Sequence, residues 1–131
     1  MKKSAIIIIL GMSLLLVAGC SSQNNDISQP SASNDNTIEI TESGFNPVTL
    51  TIDAGETVTW INRGVTPAWP ASAVHPSHNV YPESGGCIGS KFDACRGLNQ
   101  GETYSFTFNQ KGAWKYHDHL SAGDTGTIIV Q

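Results

Sequence analysis

The chain has 131 residues with 7 basic and 11 acidic side chains, a formal net charge of −4 when the histidines are neutral. Because this acidic chain has no basic patch in its sequence, nucleic acid is excluded as an expected partner. The length allows one small domain with its own core, but not two.

The first residues have the pattern of an export signal. Lys2 and Lys3 form a basic start, a short apolar stretch follows, and a small-residue cleavage site ends at Cys20. This site resembles a bacterial lipobox, which implies removal of residues 1–19 and attachment of lipid to Cys20. An uncleaved N-terminal anchor is the alternative. Either way, we expect an extracytoplasmic domain tethered to a bacterial membrane.

Residues 20–36 are expected to hold the lipidated cysteine and a flexible linker. Residues 21–36 are almost all small or polar, so they cannot bury enough apolar surface to offset chain entropy. The folded domain is predicted over residues 37–131. Removal of the signal leaves 5 basic and 11 acidic residues. Membrane association is therefore expected from the lipid alone.

The domain is predicted to consist of short strands. Apolar and polar residues alternate in five segments: Thr37–Thr41, Val48–Ile52, Glu56–Ile61, Thr103–Phe108 and Ala113–His117. Thr125–Val130 is predicted to close the chain as a further strand. Residues 65–101 are loop-rich, although His78–Tyr81 could form another short strand, and Asn109–Gly112 has the pattern of a hairpin-like turn. Seven or so strands without a helical stripe predict an all-β antiparallel sandwich or barrel.

All four histidines lie in two short clusters, His75-Pro-Ser-His78 and His117-Asp-His119. A neutral imidazole nitrogen binds copper or zinc without a charge to neutralise. If the clusters converge, they form a metal site with up to four ligands. Because Pro76 keeps its segment extended, His75 could ligate, gate the site or lie in solvent. Exposed loop histidines are the alternative for the second cluster.

The two remaining cysteines of the mature chain, Cys87 and Cys95, are eight residues apart in a Gly-rich loop. In an exported domain this arrangement predicts a disulfide, with a thiolate ligand to the metal as the alternative. Both methionines, Met1 and Met12, lie in the predicted signal. The mature protein is therefore expected to have no thioether ligand.

At this point the chain resembles a cupredoxin over nearly all of residues 38–131. Six segments carry the resemblance, in this order: Phe45–Ile52, Ala54–Asn62, His78–Val80, Gly101–Phe108, Gly112–His117 and Gly126–Val130. The resemblance implies a Greek-key β-sandwich of eight strands that holds copper at one end. In that family, one histidine comes from the middle of the chain, and a Cys–His–Met loop lies near the C-terminus.

The resemblance also assigns positions, and two of them depart from the family pattern. His78 matches the first histidine ligand and His119 falls near the second. His117 stands where the family has its cysteine. Asp124 stands where the family has its axial methionine, but a turn residue is favoured over an axial ligand at this position. Without thiolate and thioether, we expect a nearly colourless nitrogen/oxygen site that favours Cu(II). Asp118 is expected to be solvated or to orient an imidazole.

A second, local resemblance links Trp114–His119 to the Trp-Tyr-His-Ser-His motif of multicopper oxidases. Those enzymes share coppers at an interface between cupredoxin domains, so this resemblance leaves open a trimer with shared copper sites. The tryptophan of the Pro-rich loop, Trp69, is expected either to shield the metal or to cover the end of the sandwich.

The expected function is copper binding by a membrane-anchored, extracytoplasmic protein. It would buffer copper, deliver it to a protein partner or act as an atypical one-electron carrier. The alternative is a small copper enzyme acting on superoxide or nitrite at an open His-ligated copper. It is less favoured because Asp118 and Asp124 are the only candidate acid–base groups. Two further alternatives are zinc as the metal and a metal-free interaction domain.

Overall fold

A computed structural model describes residues 35–131 of the chain. The predicted signal, Cys20 and nearly all of the predicted linker lie outside the described residues. Within this part of the chain, no helix has the length and apolar character that crossing a bilayer requires.

The described chain forms two four-stranded sheets and a small hairpin. The first sheet contains β1 (Thr37–Thr41), β2 (Gly44–Asn46), β4 (Thr57–Asn62) and β8 (Thr103–Thr107). The second contains β3 (Thr49–Ile52), β5 (Pro70–Ser72), β9 (Gly112–Asp118) and β10 (Ser121–Val130). The hairpin pairs β6 (Ser84–Gly85) with β7 (Gly89–Ser90). The spatial orders are β2-β1-β4-β8 and β3-β10-β9-β5, so consecutive strands often lie in different sheets.

This arrangement confirms the prediction of an all-β sandwich and adds two parallel pairings to the expected antiparallel sheets. Strand β1 runs parallel to β4, and β3 runs parallel to β10. The reason is topological: β3 lies in the opposite sheet, so no hairpin joins β1 to β4.

Two local expectations were wrong, and one short strand of the second sheet was not predicted. The His78–Tyr81 segment is not a strand, because His78 has a φ of 48°, which is left-handed rather than extended. The Asn109–Gly112 turn does not make a hairpin, because β8 and β9 lie in different sheets. Strand β5 was missed because it is three residues long and begins with a proline.

The core lies between the two sheets and extends into the long loop. Trp60 is fully buried at its centre, with ring centroids 5.2 Å from Phe92 and 5.4 Å from Tyr116. Phe92, Leu98 and Tyr81 all come from the loop between β5 and β8, and each is at most 1% exposed. Each such side chain contributes about 1.5–3 kcal/mol when buried. The loop is thus anchored to the core, which fixes the residues that it carries above the end of the sandwich.

Candidate metal centre

Pairing of β5 with β9 brings the two histidine clusters together. His117, near the end of β9, lies opposite Ala71 of β5 on one side and opposite Thr125 of β10 on the other. After β5, the chain turns back on itself, and the backbone N–H of His78 donates to the carbonyl of Val74 over 2.9 Å. Both clusters therefore reach the same end of the sandwich.

The four imidazoles form one compact group, which we call the histidine cluster: His75, His78, His117 and His119. One ring nitrogen from each lies within 4.8 Å of the corresponding nitrogens of the others. His78 and His117 are 2% and 3% exposed, His119 is partly buried and His75 is exposed. The cluster is thus closed toward the protein and reaches solvent at His75.

The nitrogens of the cluster are free to bind a metal. Nδ1 of His78 lies 3.0 Å from the carbonyl oxygen of Ser72, which can only accept, so Nδ1 carries the proton and Nε2 has a free lone pair. That lone pair accepts a hydrogen bond from Nδ1–H of His75 over 3.1 Å, an interaction that a bound metal would replace. Within residues 35–131, the buried Nε2 of His117 and Nδ1 of His119 have no hydrogen-bond partner. Unpaired buried nitrogens are costly unless they have a ligand, so this donor set fits a copper or zinc ion.

The electrostatics keep two of these rings neutral. The pKa of His117 falls from 6.5 to about 4, chiefly because the ring is buried and then because three other histidines surround it. Asp118 acts in the opposite direction. Burial likewise lowers the pKa of His78; the hydrogen bond to the Ser72 carbonyl and, to a smaller extent, the charge of Asp93 act against this effect. Both rings are therefore in the neutral form that binds a metal at neutral pH.

Asp118 shapes the His117–His119 segment without joining the cluster. Its buried Oδ1 accepts hydrogen bonds from the backbone N–H groups of Trp69, at 2.7 Å, and Leu120, at 2.9 Å. The expectation that Asp118 is solvated or orients an imidazole is replaced by a different role: it fixes the backbone that carries the two histidines.

Asp124 lies away from the cluster. Its carboxylate faces Gly44 at the start of β2, and its oxygens are not among the grouped ligand atoms. The β-bulge of β10 between Ser121 and Thr125 accounts for this position, because it changes the direction of the chain there. The structure therefore gives no support to an axial carboxylate from Asp124.

Cys87 and Cys95 are joined by a disulfide, with their Cα atoms 5.5 Å apart. The thiolate alternative is therefore absent from the structure, and the cluster consists of imidazoles. Two supporting groups, the carbonyl of Ser72 and the carboxylate of Asp93, were not predicted from the sequence. Neither belongs to a motif: Ser72 ends the short strand β5, and Asp93 is buried by the folding of the long loop.

The fold and the histidine cluster define this domain as a cupredoxin with a candidate metal centre at one end. A family model described as copper binding proteins, plastocyanin/azurin family, matches residues 32–131. The chain therefore belongs to the plastocyanin/azurin family of copper-binding proteins.

Individual relatives agree with this assignment. Plastocyanin of Scenedesmus fuscus is 38% identical over 93 residues, which cover 66% of this chain and 86% of the plastocyanin. The chloroplastic plastocyanin of Tetradesmus obliquus is 36% identical, with 66% of this chain and 58% of the relative covered.

Solved structures show the same fold at lower identity. A purple cupredoxin from Nitrosopumilus maritimus superposes with a TM-score of 0.59 at 22% identity, covering 72% of this chain and 98% of the other. A reduced amicyanin variant gives a TM-score of 0.58 at 23% identity, with coverages of 72% and 80%.

Proposed function

We propose that the histidine cluster holds one copper ion and that the protein buffers copper or delivers it to a protein partner. The observation that carries this proposal is that four imidazole nitrogens lie within 4.8 Å of one another in a member of a copper-binding family. Zinc suits the same nitrogens, but Cu(II) has the higher intrinsic affinity for such a site.

The chain's own residues define how the ion would be held. His78 is oriented by the carbonyl of Ser72, an arrangement typical of metal-ligating histidines, which fixes the tautomer and makes the free nitrogen more basic. His117 and His119 offer their unpartnered nitrogens from the protein side. His75 completes the set from solvent. A ligand that solvent can reach suits exchange of the ion with a partner.

Bound copper would supply a one-electron couple, so one-electron transfer is the second candidate function, favoured by membership of the plastocyanin/azurin family. The donor set argues for delivery over rapid electron transfer. A thiolate ligand is what gives blue sites their strong electronic coupling, and both cysteines of the described chain are in a disulfide. The enzyme alternative rests on an open position at a His-ligated copper and the trimer on a sequence resemblance, and both remain predictions.

The ligand assignment is tested with His117→Gln. This change removes a buried nitrogen that has no other partner, so Cu(II) affinity should fall by about 100-fold or more. The affinity is measured by competition with a chelator of known strength. Gln110→Ala, an exposed change in the turn that precedes β9, should bind copper like the parent. Equal affinities for the parent and His117→Gln would overturn the assignment.

We also propose that the mature protein is exported and anchored by lipid on Cys20. The N-terminal pattern of basic, apolar and small residues supports this, and the disulfide agrees with an oxidising compartment. In a bacterial host, the full chain should incorporate a labelled fatty acid and lose residues 1–19, whereas Cys20→Ser should do neither. A parent chain that keeps residues 1–19 and carries no label would point instead to an uncleaved anchor.

A further inference from the structure

A buried carboxylate lies next to the histidine cluster without belonging to it. Asp93 is 6% exposed. Its Oδ1 accepts a hydrogen bond of 2.6 Å from the indole Nε1–H of Trp69 and one of 2.7 Å from the backbone N–H of Cys95. Among residues 35–131, its buried Oδ2 has no hydrogen-bond partner. A buried carboxylate with one unpaired oxygen is destabilising, so packing alone does not account for it.

Trp69 connects this carboxylate to the cluster. Its ring centroid lies 4.7 Å from that of His119, and its carbonyl accepts the backbone N–H of His119 over 2.7 Å. Its own N–H donates to Asp118. The backbone of Trp69 is thus fixed by the His117–His119 segment, whereas its ring is held by Asp93. The orientation of the indole, and with it one face of His119, depends on the Asp93 hydrogen bond.

The charge of Asp93 is not paired with the nearest cations in the sequence. Lys91 pairs with Glu83, at 3.6 Å, and Arg96 pairs with Glu102, at 2.7 Å. A buried charge is screened much less than an exposed one. Its field therefore reaches neighbouring buried groups, including the metal position between the histidines.

We propose that Asp93 is a positioning residue of the metal centre: it holds Trp69 against His119, and its buried negative charge favours the more highly charged oxidation state of the bound copper. This inference rests on the proposed copper site. Groups outside the ligand shell tune a metal both by orienting ligands and by their charge. Asp93 can orient a ligand through its hydrogen bond to Trp69, and it can act on the metal through its unpaired negative charge.

The test compares two substitutions at this position. Asp93→Asn keeps an oxygen that can accept from Trp69 and Cys95 but removes the charge. The ratio of Cu(II) to Cu(I) affinity should fall about tenfold, a rise of about 59 mV in reduction potential. Asp93→Ala removes both functions. In the metal-free protein, it should also move the NMR resonance of the Trp69 indole N–H, which Asp93→Asn should largely preserve.

A matched control removes the same charge elsewhere. Asp53 is exposed in the turn after β3, at the end of the sandwich away from the histidine cluster. Asp53→Asn should leave the reduction potential unchanged. If the Asp93 variants do not fold, Trp69→Phe keeps the charge and deletes the hydrogen bond. It should shift the His119 imidazole resonances of the metal-free protein.

The outcomes separate this inference from the copper proposal. If the parent and Asp93→Asn both bind copper with the same reduction potential, the role of the charge is wrong and the copper site stands. An unchanged Trp69 indole resonance in Asp93→Ala, or unchanged His119 resonances in Trp69→Phe, would overturn the positioning role. If the parent binds no copper, the proposed function and this inference both fall.

Discussion

Each histidine of the cluster is held by a different kind of contact. His78 is fixed through its ring nitrogen by Ser72, His117 by its place in β9, and His119 through its backbone by Trp69. His75 is exposed and contacts the cluster through its ring. Three rings therefore define the geometry of the cluster, and the fourth, His75, is the one that solvent can reach.

Burial of His117 predicts how the stability of the metal-free protein depends on pH. Its pKa is about 4 in the folded protein and 6.5 in the unfolded chain, so protonation favours unfolding. As pH falls from about 6.5 to about 4, this residue should lower the free energy of unfolding; below about 4, its contribution should level off. Urea denaturation at several pH values measures the effect.

The contribution of His117 is isolated by His117→Gln, because acidic residues also titrate in this range. The variant should lose less stability than the parent between pH 6.5 and 4. Identical pH slopes for the two proteins would show that His117 is not kept neutral by the fold.

At the level of elements, the pairing of β9 with β10 fixes the strand that carries His117. Gly126 of β10 lies opposite Tyr116, the residue before His117. A Cβ atom at Gly126 would lie 2.4 Å from the hydroxyl oxygen of Tyr116, a ring that is fully buried. This position therefore accepts glycine alone, and the tyrosine ring occupies the space that a side chain would need.

Gly126→Ala should accordingly destabilise the domain. Displacement of the Tyr116 ring is expected to cost about 1–3 kcal/mol, measured as a lower midpoint in thermal or urea unfolding. Gly123→Ala is the matched control, because nothing lies within 4 Å of its Cβ position. If Gly126→Ala were as stable as Gly123→Ala, the close approach of Gly126 to Tyr116 would be wrong.

For the whole molecule, the fold was predicted mainly from the alternation of apolar and polar residues, and the candidate site mainly from the spacing of the histidines. In the regular strands, buried residues such as Val58 and Trp60 alternate with more polar ones, and this period of two predicts strands with one buried face. The sandwich could therefore be predicted. The conformation of the loop between β5 and β8 could not be predicted. Phe92 and Asp93 are buried by long-range packing, which leaves no periodic signal in a Pro- and Gly-rich segment.

The candidate metal centre likewise has features that the sequence predicts and features that depend on loop packing. The resemblance assigned His78, His117 and His119 to one site and left His75 open. The support of His78 by Ser72 and of Trp69 by Asp93 depends on loop conformation and has no signal in the sequence. For Asp124, the sequence pattern suggested a place in the site that the structure does not support. Its number of residues from His119 fits an axial ligand, but the bulge in β10 places it beside Gly44.

The central claim is that this cupredoxin holds copper with imidazoles alone, and one spectrum tests it directly. The protein loaded with one equivalent of Cu(II) should show weak visible absorption and a wide copper hyperfine splitting in its EPR spectrum, as expected of nitrogen ligands. An intense visible band with a compressed hyperfine splitting would mean that a thiolate from Cys87 or Cys95 binds the metal, and would contradict the account.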